Sequence, residues 1–274
     1  MPELPEVETV CRGLALHLPG KKIMQVILRR KDLRLPLPLH MEKILKGRVV
    51  QHISRRAKYI LLHLDGGHVL IVHLGMSGAM VLKERPPETY RTHDHVALIF
   101  KDGTTAIFHD PRRFGLMLLA TEKTLPSHKL FSHLGPEPLD KSWGVTQLCA
   151  ILQSSKAPVK SVIMDQQKLV GVGNIYACEA LFLAGVHPTR PANIVTKNEA
   201  TKLAKAIKQV LNAAIESGGS TLRDYVRSSG DAGYFQHHFK VYGRQKLPCL
   251  ICKKTILVIR QSGRSTFFCA HCQK

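Results

Sequence analysis

YILLHLDGGHVLIVH, residues 59–73, is a pair of apolar runs separated by Asp65-Gly66-Gly67. Each run is rich in Ile, Leu and Val, and the Asp-Gly-Gly between them supplies residues that accept positive φ, so the stretch reads as a β-hairpin. Downstream, HVALIF at 95–100 and TTAIFH at 104–109 repeat the pattern around Asp102-Gly103. From about residue 22 to residue 120 the chain therefore predicts an antiparallel β domain, a sandwich or a flattened barrel. Upstream, Val7, Val10, Cys11, Leu14 and Leu18 recur at helical spacing behind Pro5, with glutamates near the positive helix end and Pro19-Gly20 as a stop. A helix should flank the β domain.

Residues 123–142 carry Pro126, Pro136 and Pro138 and read as a linker. Helical spacing then returns over 146–153, 175–184 and 198–216. The last of these opens with a capping box, Thr196 and Glu199, and stops at Gly218-Gly219. Residues 220–239, with several Ser and Gly, read as a long loop. The expected architecture is α+β and multi-domain.

The 274 residues hold 40 Lys and Arg against 20 Asp and Glu, a net charge of +20. An excess of that size points to a polyanionic partner, with nucleic acid ahead of a membrane surface because no amphipathic Lys-rich anchor is present. No apolar run approaches the roughly 20 residues needed to span a bilayer. The opening MPELPEVETV has Glu3, Glu6 and Glu8 where a secretory signal would carry lysines, so a cytoplasmic protein is expected.

Of seven cysteines, Cys11, Cys149 and Cys178 are scattered, while Cys249 and Cys252, then sixteen intervening residues, then Cys269 and Cys272 form two tight pairs. Two C-x2-C knuckles at this spacing match one structural Zn2+ held by four thiolates, with no open position for water. His271 competes as a ligand, but the four cysteines already complete the set. The intervening ILVIRQSGRSTFF reads as strand, turn and strand. Arg264 at its tip suits a phosphate contact and a solvated turn equally well.

Five motifs taken together, MPELPEVE at the start, HLGMSG at 73–78, DPRRFG at 110–115, GVGNIYACE at 171–179 and the four-cysteine finger, resemble the formamidopyrimidine-DNA glycosylase family. The resemblance covers the whole chain in order. It implies an N-terminal catalytic β-sandwich over residues 1–125, a linker over 126–142, a helix-two-turn-helix DNA-binding domain with a lesion-capping loop over 143–239, and a zinc finger over 240–274. The implied partner is double-stranded DNA containing oxidised bases or abasic sites, met by a monomer. The implied activity removes oxidised purines, formamidopyrimidines and 8-oxoguanine, through a Schiff base on the N-terminal proline, followed by β- and δ-elimination of the strand.

Residue by residue, the resemblance makes Pro2 the nucleophile, Glu3 the general acid/base, and Lys58 and Arg264 the groups that meet phosphates and assist elimination. Met76 and Arg112 would fill the space left by an extruded base and Phe114 would wedge beside the opposite strand, although by themselves Met76 and Phe114 suit a core. Asn174, in a glycine turn before a helix, would bind the DNA backbone. His93, Lys156 and Lys160 are implied as further phosphate contacts, or else solvated surface groups. Two rivals differ in what they explain. The endonuclease VIII type, which acts on oxidised pyrimidines, typically begins Pro-Glu-Gly-Pro-Glu, whereas Leu4 stands here. A non-enzymatic zinc-ribbon DNA-binding factor accounts for charge and cysteines but gives no reason for Pro2-Glu3.

Overall fold

The computed structural model describes residues 2–219 and 238–274. The chain divides into two compact units, Met1–Ser132 with Ser217–Tyr234, and His133–Glu216 with Phe235–Lys274. The first boundary falls inside the stretch read as a linker. Of the capping loop expected over 220–239, all but its last two residues lie outside the described part.

The first unit opens with helix α1 (Leu4–Ala15), whose Leu4, Val7, Val10, Cys11 and Leu14 are buried at helical spacing. The regular helix ends before Leu18, because the residue preceding Pro19 is pushed out of the α region; the Leu18 N–H still reaches the Leu14 carbonyl at 2.9 Å. Eight strands follow: β1 (Ile23–Leu28), β2 (Val50–Arg56), β3 (Tyr59–Leu64), β4 (His68–His73), β5 (Ala79–Lys83), β6 (Asp94–Phe100), β7 (Thr105–His109) and β8 (Leu116–Thr121). They form two four-stranded antiparallel sheets, β1-β6-β7-β5 and β2-β3-β4-β8. The 59–73 hairpin pairs Tyr59 with His73 and Leu64 with His68, turning at Gly66 and Gly67 with φ of 67° and 71°.

One core joins both sheets and α1. It contains Val7, Val10 and Leu14 of the helix, Ile60, Leu62, Leu70 and Val72 of one sheet, and Val96, Leu98, Phe100 and Phe108 of the other. Each such side chain contributes about 1.5–3 kcal/mol by leaving water. Leu61, Val69 and Ile71, on the opposite face of the hairpin, are buried as well. Burial of both faces is why this segment reads as continuous apolar runs rather than as alternation. A five-residue helix, α2 (Met41–Leu45), interrupts the β region; its single turn is too short to leave a periodic signal.

The second unit contains α3 (Val145–Gln153), α4 (Val159–Met164), α5 (Asn174–Ala184) and α6 (Lys197–Glu216), then the hairpin β9 (Leu257–Gln261) and β10 (Arg264–Phe268). The capping box forms as the sequence implies: Glu199 accepts the Thr196 N–H at 2.9 Å and Thr196 Oγ1 accepts the Glu199 N–H at 3.3 Å. Helix α5 is buried along nearly its whole surface and packs against α6, α4 and β10. Its Cys178 and Phe182 share a core with Val241, Cys249, Ile256, Phe267 and Cys269. The finger is thus built onto the helical unit.

Candidate active site and nucleic-acid interface

At the start of α1, Pro2, Glu3 and Glu6 are all buried. Pro5 suits the first turn, where a missing N–H costs nothing. The Glu6 carboxylate turns back and accepts the Glu3 N–H at 2.8 Å, which fixes the backbone that carries residue 2 and the Glu3 side chain. Gly219, at φ +81°, runs so close to Glu6 that a Cβ there would stand 3.2 Å from Glu6 Cγ.

Lys58 sits in the two-residue turn between β2 and β3 and is mostly buried. Ala57 next to it has φ +53°, a conformation that costs a non-glycine residue about 1 kcal/mol or more. The turn is tied to α1: Arg55 donates through Nη1 to the Ala57 carbonyl at 2.9 Å and through Nε to Glu8 at 2.9 Å, while Glu8 also accepts from Arg12 at 2.9 Å. Burial, helped by the charges of Lys58 and Arg34, pulls the His73 ring down to about 4. A neutral His73 is what the structure needs, since its Nδ1 accepts the Gly75 N–H at 3.0 Å and so shapes the turn leading to Met76.

Met76 and Phe114 are not core residues: they are 36% and 45% exposed. The Arg112 guanidinium lies over the Phe114 ring at 5.0 Å from its centroid. The two loops that bear them, 74–78 and 110–115, interlock through glycines. A Cβ on Gly75, already at φ +64°, would run into the Phe114 carbonyl carbon, and one on Gly115 would stand 2.7 Å from the His73 carbonyl oxygen. His93, also exposed, flanks the second loop, its carbonyl accepting the Asp110 N–H at 3.0 Å. What the sequence missed here is Asp110, fully buried and bonded to both loops.

In the second unit, Gly171 at φ +80° and Gly173 lead into the N-terminus of α5, where Asn174 stands. Its Nδ2 donates to the Ser265 carbonyl at 2.9 Å, joining the glycine turn to β10. Lys160 differs from its sequence reading as a surface phosphate contact. It is 2% exposed, and its ammonium donates to Asn174 Oδ1 and Thr266 Oγ1, each at 2.6 Å. It thus acts on Asn174 from behind. Arg264 is exposed and lines, with Lys160, Ser161, Asp165 and Ser262, a depression of about 240 Å³. Lys156 is exposed as well. Glu179 was also missed: its buried carboxylate accepts the N–H groups of Lys240, Val241 and Tyr242 at 2.8 to 3.0 Å and so holds the turn entering the finger.

The four finger cysteines fit a single tetrahedral zinc ion. All four Sγ atoms lie within 4.8 Å of one another. The Cys249–Cys272 and Cys252–Cys269 separations are 3.9 and 3.4 Å, against about 3.8 Å for tetrahedral thiolates at Zn–S distances near 2.3 Å. Burial and the neighbouring thiols push Cys272 up to about 12, a penalty on the thiolate that a divalent cation removes.

Three family models match this chain in order: the formamidopyrimidine-DNA glycosylase N-terminal domain over residues 1–117, the formamidopyrimidine-DNA glycosylase H2TH domain over 134–226, and the zinc finger found in FPG and IleRS over 246–274. The formamidopyrimidine-DNA glycosylase of Hydrogenovibrio crunogenus is 48% identical over 275 residues, covering 100% of this chain and 97% of that protein. Among solved structures, the MutM (Fpg) protein from Thermus thermophilus superposes with a TM-score of 0.88 at 39% identity, covering 99% of this chain and 98% of the other. The wild-type Lactococcus lactis Fpg in complex with DNA containing N7-benzyl-Fapy-dG gives a TM-score of 0.92 at 32% identity, with 100% of both chains covered.

Proposed function

The chain belongs to the formamidopyrimidine-DNA glycosylase family, and from that membership we propose that its own Pro2 amine is the nucleophile that releases oxidised purines from DNA. It is a DNA glycosylase of base excision repair with accompanying abasic-site lyase activity, and it holds one structural zinc ion. No described helix is long and apolar enough to cross a membrane. It acts as a monomer in the cytoplasm.

Removal of Met1 leaves Pro2 a secondary amine, which near neutral pH is partly unprotonated, since α-amino groups titrate around 7.7–8.0. The amine nitrogen attacks the sugar C1′ while the damaged base departs with a proton supplied by an acid. The amine then gives up its proton and the C1′–O4′ bond opens, O4′ leaving as a protonated hydroxyl, so that the ring-opened product is an iminium with no N–H to lose. It stays cationic, draws electrons from C2′, and lets a base remove a C2′ proton as the 3′ phosphate leaves; the 5′ phosphate follows by the vinylogous elimination. Glu3 is the proton carrier, adjacent in the chain to the nucleophile and held on the backbone that Glu6 caps. Lys58 and Arg264 meet the phosphates. Met76 and Arg112 occupy the space the extruded nucleotide leaves and Phe114 wedges beside the opposite strand, and the exposure of all three supports this. Asn174, positioned by Lys160, binds the backbone at the α5 N-terminus, with His93 and Lys156 as outlying contacts. The Fapy-dG in DNA bound by a Lactococcus lactis Fpg mutant, and the N7-benzyl-Fapy-dG bound by the wild type, support ring-opened purines as part of the substrate class.

The observation that carries the proposal is the unbroken match of the chain to this family with Pro2-Glu3 buried at the start of α1. A peptide left in front of Pro2 converts its nitrogen to an amide. Base release and strand cleavage should then vanish while duplex binding persists; retention of either activity would refute the assignment.

A further inference from the structure

We infer that Asp110, acting through Ser77, is the positioning residue that makes Met76, Arg112 and Phe114 one insertion unit and thereby sets discrimination of the base opposite the lesion. The inference rests on the reading above that Met76 and Arg112 fill the vacated space and Phe114 wedges beside the opposite strand. Asp110 is 0% exposed, and both carboxylate oxygens are in use. Oδ1 accepts the Ser77 hydroxyl at 2.8 Å and Oδ2 accepts the Gly115 N–H at 2.8 Å. Ser77 Oγ in turn accepts the Arg112 N–H at 3.3 Å. One side chain thus holds the loop bearing Met76 and both ends of the loop bearing Arg112 and Phe114.

The Asp110 backbone is anchored too. Its carbonyl accepts from His95 Nε2 at 2.8 Å, and because a carbonyl only accepts, the proton resides on that nitrogen. Burial lowers the His95 pKa and so favours the neutral ring. A carboxylate buried to this degree is strongly disfavoured unless hydrogen-bonded, so the loops cannot drift without leaving it unpaired. Rigidity matters because wedging apart a base step works against stacking, and a loop that yields would leave the step stacked. Arg112 must also meet the orphaned base within hydrogen-bonding tolerance, and its main-chain N–H is one of the groups the clasp holds.

The test uses the full-length, zinc-loaded protein with Ser77→Ala, Asp110→Asn and Arg112→Ala. Single-turnover excision is measured on duplexes carrying 8-oxoguanine opposite cytosine or opposite adenine. Cleavage at a preformed abasic site in single-stranded DNA, which has no opposite base, is measured beside it. Ser77→Ala should lower excision opposite cytosine by about tenfold or more. It should move the cytosine-to-adenine rate ratio toward that of Arg112→Ala, and leave single-strand cleavage within roughly threefold. Asp110→Asn keeps an acceptor for Gly115 but turns an NH2 toward Ser77, so its effect has the same direction; should it fail to fold, Ser77→Ala carries the test. Equal losses on all substrates, or a wild-type ratio in Ser77→Ala alongside a changed ratio in Arg112→Ala, would overturn the inference alone. An Arg112→Ala protein with wild-type duplex excision and ratio would overturn the void-filling reading and the inference with it.

Discussion

Lys160 and Arg264 are both cations lining one depression, yet their environments assign them different work. The buried ammonium of Lys160 is spent on Asn174 and Thr266, whereas Arg264 is exposed. Arg264→Ala should therefore weaken duplex binding and reduce the slope of log K against log salt by about 1, the signature of one lost phosphate contact. Lys160→Met should weaken binding by leaving Asn174 misplaced, with the slope unchanged; titrations at several salt concentrations separate the two. His73 gives a pH prediction. Its folded value, about 4, lies below the ordinary 6.5, so the unfolded state binds more protons between these values. Stability is full above about 6.5 and falls as pH drops toward 4, by up to about 1.4 kcal/mol per pH unit from this group. His73→Gln keeps an acceptor for Gly75 and should flatten that part of the urea-unfolding profile. That Lys160 carries a charge was legible in the sequence. Its direction was not, because burial depends on α4 meeting β10, more than a hundred positions away.

Helices α1, α5 and α6 and the 59–73 hairpin were legible because each carries its own signal: apolar spacing over several turns, a Thr196–Glu199 cap, or glycines at positive φ. Helices α2 and α4 were not, since five and six residues hold less than two turns of periodicity. The finger's ligands were legible from spacing, but its union with α5 was not; Glu179 and Phe182 look like ordinary helical residues until residues 240–242 and Phe267 pack on them. At this scale Leu14→Ala, in the core shared by α1 and both sheets, should cost about 2–5 kcal/mol in denaturant unfolding. Chelating the zinc should release β10, and with it the Ser265 and Thr266 groups that hold Asn174 and Lys160. Duplex affinity should therefore drop on chelation and return on adding zinc back. Unchanged affinity in the metal-free protein would show that the turn before α5 holds its shape unaided.

Across the molecule, a net charge of +20 supplies the sequence-independent part of DNA binding, and the motifs supply the chemistry. Charge and the zinc knuckles alone would equally describe a binding protein; what separates an enzyme from it is the chemistry of residue 2. The most direct measurement is borohydride trapping. The purified protein, with its Pro2 amine verified as free, is incubated with a duplex containing one 8-oxoguanine opposite cytosine, reduced, and examined for a covalent complex. A crosslink that maps to Pro2 is expected, because reduction captures the iminium formed once the base has departed and the sugar ring has opened. No crosslink on that duplex or on one with a preformed abasic site, or a crosslink mapped to a lysine, would contradict it.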